Sequence, residues 1–134
     1  MSQSIACIDY RNGKLFIAKR CMKGDMGGRW EFPGGKLEAG EDCETAIKRE
    51  MQEEFGVDVS VIGKIADGTF MHKGKQCDLF VYHVKFAHDG IEKKYTLTEH
   101  TDYKWVNPEE IKSLEFVDSD LSIYPQVLDY IKSI

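Results

Sequence analysis

Residues 34–57 read GGKLEAGEDCETAIKREMQEEFGV, and no other stretch of the chain restricts its fold as much. The double glycine permits a tight turn and a close approach of backbone to a ligand. Asp42 is placed as an N-cap, and Gly56 as a C-terminal stop, so a helix is expected between them. Ile47, Met51 and Phe55 recur every fourth residue and make an apolar stripe for a core. Glu50, Glu53 and Glu54 stand at i, i+3 and i+4 and share another face.

Like charges at that spacing weaken a helix by ~0.2–0.5 kcal/mol per pair. A hard divalent cation among the three carboxylates would repay the repulsion. Mg²⁺ takes oxygen ligands, keeps several waters and is completed by substrate phosphates. For an acidic helix taken alone, a solvated face with Arg49 offsetting Glu53 explains the residues equally well.

The wider pattern decides between them. Gly35, five residues, Glu41, seven residues, Arg49-Glu50-Met51, one residue, Glu53-Glu54, one residue and Gly56-Val57 resembles the signature of the Nudix hydrolases. Seven fixed identities over 23 residues make the pattern specific, and Met51 and Val57 fill its aliphatic positions. The preceding Trp30-Glu31-Phe32-Pro33 completes WEFPGGK, which looks like the MutT-type branch.

Composition is compatible with this. At 134 residues, 42% hydrophobic and 31% charged, the chain reads as one ordinary globular domain over 1–134. The net charge of −5 argues against a nucleic-acid polymer as partner, though not against a single nucleotide. No apolar run reaches the ~18 residues of a membrane span and no leader is visible, so a cytoplasmic monomer or homodimer is expected. Cys7, Cys21, Cys43 and Cys77 form no CxxC pair, which disfavours zinc and points to reduced thiols. Cys7 reads as a small core residue.

In chain order, residues 4–10 read as a strand, Asn12-Gly13 as a hairpin turn, and 14–20 as a returning strand. A Gly-rich loop is expected over 21–29 and a short extended piece over 30–32. Strands follow at 57–65, 68–72, 77–86 and 103–106, with turns at Lys73-Gly74-Lys75 and His88-Asp89-Gly90. The stretch 95–99 reads as the approach to a loop. Pro108 starts a short helix, and a last helix runs from 118–120 to Ile131. The pattern is α+β. The resemblance implies more, an α/β/α sandwich with a mixed β-sheet between helices.

It also implies a chemistry. Family members hydrolyse a nucleoside diphosphate linked to another group, so the tasks are charge neutralisation and the positioning of water. By matching positions, Glu50, Glu53 and Glu54 hold Mg²⁺ (or Mn²⁺), with the Gly34 carbonyl as a further ligand. Arg49 orients carboxylates through its fork, and Glu41 pins the loop to the helix. Glu99 lies six residues before Trp105, where MutT-type enzymes carry a further metal-binding or base carboxylate. The general base stays open between Glu50 and Glu99.

Arg20 and Lys36 are expected at the nucleotide, with Arg20 weighed against a solvated strand end. Phe80 is a candidate stacking platform, weighed against a core position. Asp120 stands just before the last helix, where MutT itself has an asparagine that reads oxidised guanine. A carboxylate there suits a base presenting donors, such as the amino group of cytosine. His72, His83 and His88 lack metal-ligand spacing. Markers of the ADP-ribose and dinucleoside polyphosphate branches are absent at His72 and at Lys73-Gly74-Lys75.

The expected activity is Mg²⁺-dependent cleavage of a small-molecule nucleoside triphosphate, such as dCTP, CTP or 8-oxo-dGTP, to the monophosphate and pyrophosphate. Nucleotide-pool sanitation is the expected role. The alternatives are hydrolysis of another nucleoside diphosphate derivative and a non-catalytic nucleotide-binding module.

Overall fold

A computed structural model describes residues 2–22, 27–87 and 100–134. Gly24, the turn at His88-Asp89-Gly90 and the stretch 95–99, with Glu99, lie outside the described residues.

The strands are β1 (Ser2–Ile8), β2 (Tyr10–Arg11), β3 (Lys14–Arg20), β4 (Trp30–Glu31), β5 (Gly34–Lys36), β6 (Val59–His72), β7 (Lys75–Phe86) and β8 (His100–Val106). The helices are α1 (Cys43–Phe55) and α2 (Asp118–Lys132), with a 3₁₀ helix at Pro108–Ser113. The expected mixed sheet is present in the order β5-β1-β7-β6, with β1 and β7 parallel and the other pairs antiparallel. Beside it stands a second, antiparallel sheet in which β3 pairs with β2, β4 and β8.

Alternation along the strands feeds two cores. Leu15 and Ile17 of β3 join Ala6, Ile8, Leu79 and Val81 on the side of α2. Phe16 and Ala18 join Ile5, Cys7, Val84 and Phe86 on the side of α1. Both faces of β3 are therefore buried, and the sheets lie between the helices as a sandwich. Each apolar side chain buried this way contributes about 1.5–3 kcal/mol.

The signature helix forms as its residues require. Asp42 caps it by accepting the Thr45 N–H at 2.8 Å, and Gly56 ends it at φ 64°. Ile47, Met51 and Phe55 are buried against the sheet. The Asn12-Gly13 and Lys73-Gly74 turns both take positive φ at both residues, the geometry that fits a tight hairpin.

Three differences from the sequence reading have physical causes. The strand expected over 4–10 breaks at Asp9, because its buried carboxylate accepts from Arg11 at 3.0 and 2.9 Å and from the Phe86 N–H at 3.0 Å. The expected pieces 57–65 and 68–72 are one strand, β6, kept whole by pairing with β7 through two register shifts. The helix α2 is capped by Val117, so Asp120 lies inside its first turn and is buried.

Candidate active site

The glycine-bearing strand β5 reaches the helix because it pairs with β1, with Gly34 opposite Ala6 and Gly35 opposite Ile5. A Cβ on Gly34 would overlap the Ile5 carbonyl oxygen. A Cβ on Gly35 would lie 2.5 Å from the Glu50 carboxylate. The first glycine therefore lets the strands pair, and the second makes the recess in which Glu50 rests.

Arg49 gathers the carboxylates. Its Nε and Nη2 donate to the two oxygens of Glu41 at 2.8 and 2.9 Å, a bidentate pair. Nη1 donates to Glu50 at 2.7 Å and to Glu53 at 3.4 Å, and Nη2 also donates to the Lys36 carbonyl at 3.0 Å. Glu41 in turn accepts the Glu38 N–H at 2.9 Å. Hydrogen bonds from Arg49, then from the Glu38 backbone, hold the Glu41 carboxyl down to about 2. Its carboxylate neighbours raise the Arg49 guanidinium further above its usual range.

Glu54 is buried, unlike Glu53 on the same helix. Beneath them lies Cys7, whose thiol is pushed up first by burial and then by the charges of Glu54, Glu50 and Asp120. All four cysteines are free thiols.

Asp120 comes from α2. Its Oδ2 accepts the backbone N–H of Phe32 at 2.8 Å. Burial, with Glu31 adding to it, pushes its carboxyl up to about 8, while the Phe32 N–H and Arg20 pull the other way. It therefore holds its proton to a higher pH than an exposed aspartate does.

Arg20, Glu31 and His100 form a cluster that sequence reasoning missed. Nη1 of Arg20 donates to Oε1 of Glu31 at 3.0 Å, and Nε2 of His100 lies 2.7 Å from Oε2. These residues sit on three neighbouring strands, and no local spacing relates them.

The remaining candidates divide. Lys36 is exposed on β5 and contributes its carbonyl to Arg49. Phe80 stands on the face of β7 turned to α1, with the Lys64 ammonium 5.0 Å from its ring centre. Asp120 belongs to the helix packed on the opposite face, so the two are not brought together to share a base. His83 bonds to the Tyr130 hydroxyl at 2.8 Å, a structural use.

Among the described residues no three His, Cys, Asp or Glu groups converge at metal-binding distance. The donor set still fits a hard cation. Three carboxylates leave one stretch of helix, and the Gly35 recess admits Glu50 beside the loop backbone. A surface cavity of about 590 Å³, lined by Tyr10, Asn107, Lys112, Tyr124 and others, shares none of these residues. No helix among the described residues is long and apolar enough to cross a membrane.

Comparison with known proteins agrees with this geometry. A family model described as the NUDIX domain matches residues 2–127. The chain is 31% identical over 123 residues to a CTP pyrophosphohydrolase of Escherichia coli (strain K12), covering 92% of this chain and 88% of that one. It is 37% identical over 107 residues to an 8-oxo-dGTP diphosphatase of Proteus vulgaris, covering 80% and 78%. Among solved structures it is similar to the E. coli ORF135 protein, with a TM-score of 0.82, 29% identity and coverage of 96% and 89%. The MutT protein from Methanosarcina mazei Go1 superposes with a TM-score of 0.80 at 20% identity, covering 99% and 96%.

Proposed function

The chain belongs to the Nudix family, and from that premise we propose that it hydrolyses a nucleoside triphosphate to the monophosphate and pyrophosphate with the help of Mg²⁺ or Mn²⁺. The observation that carries the reading is the Arg49 hub, which holds Glu41, Glu50 and Glu53 beside the glycine loop. A decayed, merely binding module has no reason to retain three mutually repelling carboxylates together with the arginine that orders them.

Glu50, Glu53 and Glu54, with the Gly34 carbonyl, would hold the cation, which when bound supplies positive charge to the phosphate oxygens. The chain's own residues do the rest. Arg49 keeps the Glu50 and Glu53 carboxylates oriented through fixed hydrogen bonds, so they need not reorganise as charge develops. Glu50 sits in the Gly35 recess and is a candidate to take the proton of the attacking water; Glu99 is the other. Arg20 offers a guanidinium to the nucleotide, and Asp120 with the Phe32 N–H faces the base.

Relatives that act on CTP and on 8-oxo-dGTP leave two base classes for this chain. The Asp120 carboxyl accepts from an amino group when ionised and can also donate to a ring nitrogen or carbonyl when protonated, the form that burial favours, which suits cytosine as well as oxidised guanine. The test is pyrophosphate release from CTP, dCTP, dGTP and 8-oxo-dGTP, with and without chelator. The reading expects turnover of at least one that stops when the cation is removed; chelator-resistant turnover, or none on any triphosphate, overturns it.

A further inference from the structure

The cluster on the second sheet has more order than an exposed ion pair accounts for. Arg20 is 42% exposed along its side chain, and a lone surface pair with Glu31 would hold it weakly. Glu31, however, is engaged on both oxygens. A carboxylate only accepts, so the ring nitrogen facing it carries the hydrogen, and His100 donates from Nε2 at 2.7 Å. The His100 side chain is 2% exposed. Its ring stacks on Phe55, with centroids 5.3 Å apart and planes 17° from parallel. Phe55 is the last residue of α1, next to Glu54.

The backbone aims this ring deliberately. Lys19 pairs with Asp102, but Arg20 pairs with His100, so Thr101 is an extra residue on β8. Such a bulge turns a side chain that regular pairing would leave outside. His100 is buried while Thr101 and Asp102 are exposed. Ala18 opposite Glu31 sets the third strand in register. Among the described residues, Nδ1 of His100 has no hydrogen-bond partner, so Glu31 is the ring's polar anchor there.

We propose that His100 is a positioning residue for substrate binding: it locks Glu31 against the end of the carboxylate helix, and through Glu31 it presents the Arg20 guanidinium to the nucleotide already oriented. The proposal rests on the reading that Arg20 meets a nucleoside triphosphate. Preorienting a long, half-exposed side chain saves the entropy of ordering it on binding, so the effect falls on KM and binding affinity rather than on kcat.

Two substitutions separate positioning from packing. His100→Phe keeps the stack on Phe55 and removes the donor. His100→Gln keeps a donor near Nε2 and removes the ring. The measurements are KM and kcat with CTP, equilibrium binding of a non-hydrolysable CTP analogue, Mn²⁺ affinity and Tm. His100→Phe is expected to raise KM and the analogue's Kd by about five- to twentyfold, with kcat and Mn²⁺ affinity nearly unchanged. His100→Gln is expected to lower Tm while keeping KM within about threefold of wild type. Should His100→Phe not fold, Glu31→Gln weakens the same bond from the acceptor side and is expected to raise KM likewise. Equal KM in wild type, His100→Phe and Glu31→Gln overturns the proposal, as does a KM increase in His100→Gln as large as in His100→Phe. A wild-type protein that neither cleaves nor binds any triphosphate overturns the functional reading itself, a result distinct from these.

Discussion

Asp120 and Phe32 lie 88 residues apart in sequence, yet the aspartate carboxyl accepts the phenylalanine N–H at 2.8 Å. That bond joins α2 to the short link between β4 and β5. It also holds a buried acid close enough to feel the charges of Glu31 and Arg20.

The first prediction concerns pH. Burial, then Glu31, raises the Asp120 carboxyl to about 8 in the folded protein, above its ordinary value. The folded state therefore binds this proton more tightly than the unfolded chain. The stability it contributes is full below the unfolded value near 4 and is lost as pH rises through about 8. Each unit of difference is worth about 1.4 kcal/mol. Asp120→Asn, which cannot ionise, should gain stability relative to wild type as pH rises across that window. Urea unfolding of both proteins from pH 5 to 9 checks it. The ranking of bases in wild type should also shift near pH 8, and in Asp120→Asn it should not.

The two glycines predict opposite failures. In Gly34→Ala the new methyl meets the Ile5 backbone, which cannot yield without opening the β1–β5 pairing. Stability should fall by several kcal/mol, on the order of an overpacked core site. In Gly35→Ala the methyl meets the Glu50 carboxylate, the far end of a flexible side chain. That carboxylate swings away, so Tm should change little while kcat falls at least about tenfold. Thermal melts beside kinetics on the two variants separate the roles.

Arg49→Lys keeps the charge and loses the fork. Lysine cannot reproduce the bidentate pair with Glu41 while reaching Glu50, Glu53 and the Lys36 carbonyl. kcat should drop by about a hundredfold, more than KM changes, because the orientation of the carboxylates is what is lost. Steady-state kinetics at saturating Mg²⁺ is the measurement, and full activity in Arg49→Lys would show that the fork is dispensable.

Glu53→Gln and Glu54→Gln each remove one anionic ligand. Mn²⁺ affinity, followed by electron paramagnetic resonance, should weaken at least about tenfold in each. The apo proteins should melt no lower than wild type, since like-charge repulsion on the helix is relieved.

What could be read in the sequence was local. Asp42, Gly56 and the Ile47-Met51-Phe55 stripe declare α1, because caps and a helical period are short-range chemistry. Asn12-Gly13 declares its hairpin for the same reason. Cys77 to Phe86 read as a central strand and is one, between β1 and β6. The Glu31–His100 bond was not legible, because a bulge on β8 and the register of three strands bring those residues together. The break at Asp9 was hidden likewise, since its partner Phe86 lies 77 residues on. Phe80 read equally as core or platform, and only the sheet order shows which helix it faces. Glu54, three residues after Met51 and seven after Ile47, falls by helix phase on the buried stripe, where Glu53 does not.

The central claim is that this site breaks the bond between the α- and β-phosphates. The most direct measurement is ³¹P NMR of the products formed from CTP in H₂¹⁸O with Mg²⁺. CMP and pyrophosphate are the expected first products, with the heavy oxygen incorporated into one of the two. CDP and labelled orthophosphate as first products would contradict it.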